Sequence, residues 1–165
     1  MKRGEWAVLA LMVLMVGGVV TRNVLVADKP GSDPAKERGI PFYTTASPDL
    51  ARAGSDLVRQ NQCRQCHSLW SVRDMMQAVP SPPLDGMGSL RDEAWLYQYF
   101  SASNPQSILP SRLKPEYRMP SYQDLPESDR RTLARYVASL KVQDWYLEET
   151  RKTEFEKLTG KDYKP

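Results

Sequence analysis

Two cysteines and one histidine are the only residues of their types in a chain of 165 residues. All three fall in one short run, Cys63-Arg64-Gln65-Cys66-His67. This C-x-x-C-H spacing is the covalent attachment sequence of a c-type haem. The spacing has a chemical reason. Two thiols must reach the two vinyl groups on one edge of the porphyrin, and the next residue must present an imidazole nitrogen to the iron. A short turn carrying Cys63, Cys66 and His67 does both. Two other chemistries compete for the same residues. A redox-active C-x-x-C pair usually sits near a βαβ pattern, and none is evident. Half of a zinc site would need further Cys or His ligands, and the chain has no others.

A six-coordinate haem needs a second axial ligand, which here cannot be another histidine. Methionine is the usual alternative in electron-transfer haems and raises the reduction potential. Met75, Met76, Met87 and Met119 lie downstream of the motif. Met119 is the choice. It sits in the proline-bounded run Tyr117-Arg118-Met119-Pro120, 52 residues after His67, enough chain to wrap the far side of a haem. Pro120 restricts Met119 to extended backbone, which suits a side chain projected from a loop. Met75 and Met76 are too near the attachment turn to cross the ring easily, and Met87, between Gly86 and Gly88, is the fallback.

These residues need elements to hold them. Two cysteines exclude a disulfide scaffold, and a net charge of +3 gives no concentrated basic face for nucleic acid. Residues 1–27 read as an N-terminal membrane anchor. Trp6 to Val20 is uncharged, and Trp6 to Val26 gives 21 residues with only Arg22 charged, about 31 Å of helix at ~1.5 Å per residue. Lys2 and Arg3 place the N-terminus in the cytoplasm and the rest outside. The alternative is a cleaved signal peptide ending near Leu25-Val26-Ala27; either sends the remainder across the membrane. Residues 28–47, rich in Pro, Gly and polar residues, read as a tether.

Residues 48–142 read as the haem domain. Leu50, Ala53, Leu57 and Val58 are spaced for a helix leading into the haem turn, with Ser47 as cap and Pro48 in the first turn. Residues 78–90 are loop. Asp92 to Phe100 forms a short amphipathic helix. Residues 101–126 hold five prolines and form a long loop that only a bulky cofactor could give a core. A helix opening at Pro126 carries Leu133, Tyr136, Val137 and Leu140 on one face. No strand signal is convincing, so the fold class is all-α, with an N-terminal transmembrane helix. Residues 143–165 form a charged helical tail, with Glu148 and Lys152 spaced as a pair and Gly160 as its stop. It is either a solvated helix or a segment that docks on a partner subunit. Trp95, Arg112 and Tyr122 are plausible donors to the haem propionates.

Over about residues 48–142 the chain resembles the class I c-type cytochromes, in which helices and long loops wrap one haem. Gly54, followed by Leu57 and Val58, looks like that family's N-terminal helix glycine. Tyr136 in Leu133-Ala-Arg-Tyr-Val-Ala-Ser-Leu140 looks like the aromatic of the C-terminal helix that crosses it. Ser81-Pro82-Pro83-Leu84 resembles the family's Gly-Pro-x-Leu loop, with Ser in place of Gly. The resemblance implies that the Pro82 carbonyl accepts a hydrogen bond from His67, and Arg118-Met119-Pro120 matches the ligand loop. More narrowly, anchor, tether and one haem domain resemble the membrane-anchored monohaem subunits of respiratory complexes: nitric oxide reductases, cbb-type oxidases and quinol-oxidising bc-type complexes. Asn104-Pro105-Gln106-Ser107 is similar to a run before the Met loop in several of them.

The expected function is one-electron transfer through one covalent, iron-containing haem c with His67/Met119 ligation. The chain would be no enzyme by itself but a membrane-anchored subunit of a quinol-oxidising or terminal oxidase/reductase complex. Its partners would be integral membrane respiratory subunits, a soluble cytochrome, or both, with no nucleic acid and no small-molecule substrate. The haem domain would lie on the periplasmic face. A haem-based sensor or diatomic-ligand module is the alternative, and an assembly subunit acting through its tail is a third reading.

Overall fold

The computed structural model describes residues 3–27, 38–73 and 79–164. Residues 28–37 of the expected tether, Met75 and Met76 lie outside the described residues. The chain divides into two compact units, Met1–Ile40 and Pro41–Pro165.

In the first unit, α1 spans Arg3–Ala27, 25 residues without a basic residue in its last turn. Side chains are described for Trp6 and residues 11–22. Large apolar ones stand in the open, Leu14 at 75% and Val13 at 69% exposure. Among the described residues, no helix is long and apolar enough to cross a membrane.

In the second unit, β1 (Phe42–Thr44) leads to α2 (Pro48–Gln60). Ser47 Oγ accepts from the amide of Leu50 at 3.3 Å, and Pro48 occupies the first turn, where its missing N–H costs nothing. A short 3-10 turn, Cys63–Gln65, follows, then α3 (Met87–Leu90), α4 (Glu93–Ser101), α5 (Glu127–Ser139), β2 (Leu140–Val142) and α6 (Leu147–Thr159). Asp92 caps α4 through the Trp95 amide at 2.7 Å. The proline-rich stretch between α4 and α5 carries only two 3-10 turns, Pro105–Ser107 and Pro115–Tyr117. The second unit is thus mainly helical, as expected, apart from one two-stranded antiparallel pair in the register Phe42↔Val142, Tyr43↔Lys141, Thr44↔Leu140. The helix expected to run through Leu140 stops at Ser139, because Leu140 enters β2.

The core lies where α5 packs on α2 and α4, with Val58, Leu96, Leu133, Tyr136, Val137 and Leu140 buried. The α2–α5 crossing depends on Gly54. A Cβ there would overlap Cβ and Cγ of Tyr136, whose ring is 3% exposed. Gly54→Ala gains about 1 kcal/mol of helix propensity, but displacing a buried ring costs about 1–3 kcal/mol or more. We expect the second term to win, lowering the thermal midpoint by several degrees in a circular-dichroism melt. A variant that melts at or above the parent's midpoint would contradict this packing.

Residues 142–165 belong to the same unit. Tyr146 meets Phe42 edge-on at 5.5 Å. Thr150 is buried where Gly86 (φ +79°) brings the backbone close to Val142. Glu154 pairs with Arg91 at 3.1 Å, and Arg112 Nε donates to the Lys157 carbonyl at 3.2 Å, placing a cation at the C-terminus of α6. The charged tail is therefore helical and packs one face on its own domain, with Glu148, Glu149, Arg151, Lys152 and Phe155 left exposed.

Candidate functional site

Gln62 enters the Cys63–Gln65 turn in left-handed conformation (φ 54°). The turn closes through His67 N to Cys63 O at 2.9 Å, which sets Cys63, Cys66 and His67 on one short loop. Both cysteines are half-buried. Burial pushes the Cys63 thiol up, against a lowering hydrogen bond from Tyr122. Beyond His67, Trp70 and Ser71 adopt φ of 56° and 58°. The Asp85 carboxylate accepts from their amides at 2.5 and 3.0 Å and holds that turn in place.

His67 Nδ1 lies 2.6 Å from the Pro82 carbonyl. A carbonyl oxygen can only accept, so Nδ1 carries the proton and Nε2 keeps its lone pair. Burial pulls the imidazole below its ordinary range, with Pro82 opposing. The neutral, Nε2-ligating form is the one an iron needs. Such a hydrogen bond fixes ring orientation and raises ligand basicity.

Cys63, Cys66, His67, Pro82 and Met119 all line one cavity of about 320 Å³, within the usual range of cofactor sites. Met119 is partly buried against the core. Its loop is pinned on both sides: Gln106 Nε2 donates to the Met119 carbonyl at 3.0 Å, and Ser121 Oγ to the Ala102 carbonyl at 2.7 Å. Met87 lines the same cavity and also a second one of about 250 Å³, which it shares with Pro82 and Pro83. Met87 thus borders the loop that holds His67. Of the residues considered as propionate donors, Trp95 and Tyr122 face the cavity, whereas Arg112 binds the end of α6. Gln106 of the Asn104–Ser107 run lines the cavity, as do Glu154, Lys157 and Leu158 of α6; no sequence pattern places those three α6 residues at the site.

Residues 51–141 match the family model described as Cytochrome c, more than half of the chain. The chain belongs to the cytochrome c family. No curated protein and no solved structure gives a match. As a cytochrome c, it carries covalent haem c with its iron, one group for a domain of this size. The donor set fits: two thiols on one turn, an imidazole with a free Nε2, a thioether and a largely apolar cleft in one cavity. When bound, the haem supplies a one-electron couple at its iron.

Proposed function

We propose that this cytochrome c is a membrane-anchored electron carrier with His67 and Met119 as axial ligands, serving a respiratory quinol-oxidising or terminal oxidase/reductase complex. Haem-based electron transfer follows from the family, and an electron carrier rather than a catalytic enzyme is what the domain provides. One observation carries the ligand assignment. His67 is locked by Pro82 with Nε2 free, in a cavity it shares with Met119. Cys63 and Cys66 would hold the haem covalently, and Pro82 orients His67. Met119 is favoured over Met87 because Met87 also borders the second cavity beside Pro82 and Pro83, whereas Met119 sits in a loop pinned by Gln106. The protein's part is to keep both ligands fixed, so that a change of iron oxidation state moves little.

The anchor rests on α1, whose run from Trp6 to Val26 carries no charge except Arg22. Apolar side chains stand exposed along its described part, a surface that calls for a lipid or protein cover. The haem domain would then face the periplasm, beside integral membrane subunits or within reach of a soluble cytochrome. Membrane fractionation tests this. The full chain should stay in the membrane through high salt and alkaline wash and leave only with detergent, bringing respiratory subunits with it. Release by salt alone would overturn the anchor.

A further inference from the structure

The carboxyl-terminal helix adds a wall to the haem cleft from outside the family-matched segment, which ends at residue 141. Glu154 on that wall borders both the haem cavity and the second cavity behind the Pro82–Pro83 loop. Arg91 Nη2 lies 3.1 Å from Oε1 and 3.2 Å from Oε2, with the two side chains only 25% and 12% exposed. The Oε2 contact has hydrogen-bond geometry, while Oε1 is buried with no hydrogen-bond partner among the described residues. Arg91 itself lies over the Trp95 ring at 5.0 Å, and Trp95 faces the haem cavity. Both carboxylate oxygens thus rest on one guanidinium nitrogen, only Oε2 with hydrogen-bond geometry, and that cation is shared with an aromatic face. A carboxylate only 12% exposed and held by a single shared cation is costly to keep charged, and a proton on it would remove that charge.

We propose that Glu154 binds a proton when the haem takes up an electron, making the carboxyl-terminal helix the site of a redox-linked protonation. The inference rests on the haem reading of the cleft. The step balances: a reduced donor gives one electron to ferric iron, and water gives one proton to the Glu154 carboxylate. Reoxidation returns both. Reduction removes one positive charge from the cavity, so the carboxylate loses a favourable neighbour and holds its proton more tightly. Burial already pushes this carboxyl above its ordinary range, with Arg91 opposing. Ser68, Ser71, Thr150 and Thr153 border the second cavity beside Glu154 and make its wall polar.

Other charged groups border the same two cavities. Lys157 and Arg118 border the haem cavity; Asp85, Arg73 and Tyr146 border the second. Asp85 is the nearest rival in kind, but two backbone amides satisfy its carboxylate. Burial drives Tyr146 further above neutral pH. The haem's own carboxylates are the remaining alternative.

The test is the midpoint potential of the haem-loaded full chain as a function of pH. Between the carboxyl's pKa in the oxidised and in the reduced protein, the potential should fall as pH rises. The limit is a tenfold change in the reduced-to-oxidised ratio per pH unit, about 59 mV for one electron. Glu154→Gln should flatten that window, and Asp85→Asn should keep it. A flat potential in the unaltered protein, a slope that survives Glu154→Gln, or one lost in Asp85→Asn overturns the proposal. If Glu154→Gln takes up no haem, Arg91→Gln decides. Without the cation the window should move to higher pH, and an unmoved window overturns the assignment. A chain with no c-type bands fails the haem reading itself, whereas normal bands with a flat potential fail this inference alone.

Discussion

Cys63→Ser combined with Cys66→Ser removes covalently held haem completely: after denaturing electrophoresis the full-length band should show no haem-linked peroxidase stain. The chain contains no other thiol, so no second attachment can substitute. Each single Ser variant keeps one thioether and should retain a weaker stain. The loss reaches the fold as well. Without the haem, the apolar side chains lining a cleft of about 320 Å³ lose their packing partner, and the long loop between α4 and α5 has little else to pack on. The double variant should therefore lose most of its helical circular dichroism. A double variant that keeps a haem-stained band would overturn the attachment site.

Met119→Ala should give the largest change short of losing the haem. The oxidised protein loses its sulfur-to-iron absorption and the reduced protein gains an open site that binds carbon monoxide. The potential falls by on the order of 0.1 V or more, within the roughly 0.8 V range that axial ligands span. Met119→His should lower it too, since nitrogen does not favour ferrous iron as a thioether does. Met87→Ala should leave the ligand spectrum unchanged. If instead Met119→Ala is silent and the unaltered protein binds carbon monoxide readily, the sensor reading takes the place of electron transfer.

The attachment turn is legible in sequence because covalent chemistry fixes its spacing to the residue. Likewise Ser47-Pro48 announces α2 through capping chemistry, and Gly54 and Tyr136 are visible as a small residue and an aromatic on facing helices. The β1–β2 pair is not legible. Each strand has three residues, too few for an alternating pattern, and the pairing joins positions nearly a hundred residues apart. The role of α6 is hidden for another reason. Glu154 and Lys157 are charged, and a hydropathy stripe assigns charged positions to solvent. What draws Glu154 inward is Arg91, 63 positions away, which no local pattern reports. Arg112 misleads in the same way: it looks free to meet a propionate, but in the fold it binds the carbonyl end of α6.

The central claim is a single haem held by Cys63 and Cys66 with His67 and Met119 on the iron. Near-infrared magnetic circular dichroism of the oxidised full chain tests it most directly, because the charge-transfer energy separates thioether from nitrogen ligation. The oxidised protein should show one low-spin histidine–methionine band that disappears in Met119→Ala and persists in Met87→Ala. A high-spin band, a bis-nitrogen band, or a methionine band that survives Met119→Ala would contradict it.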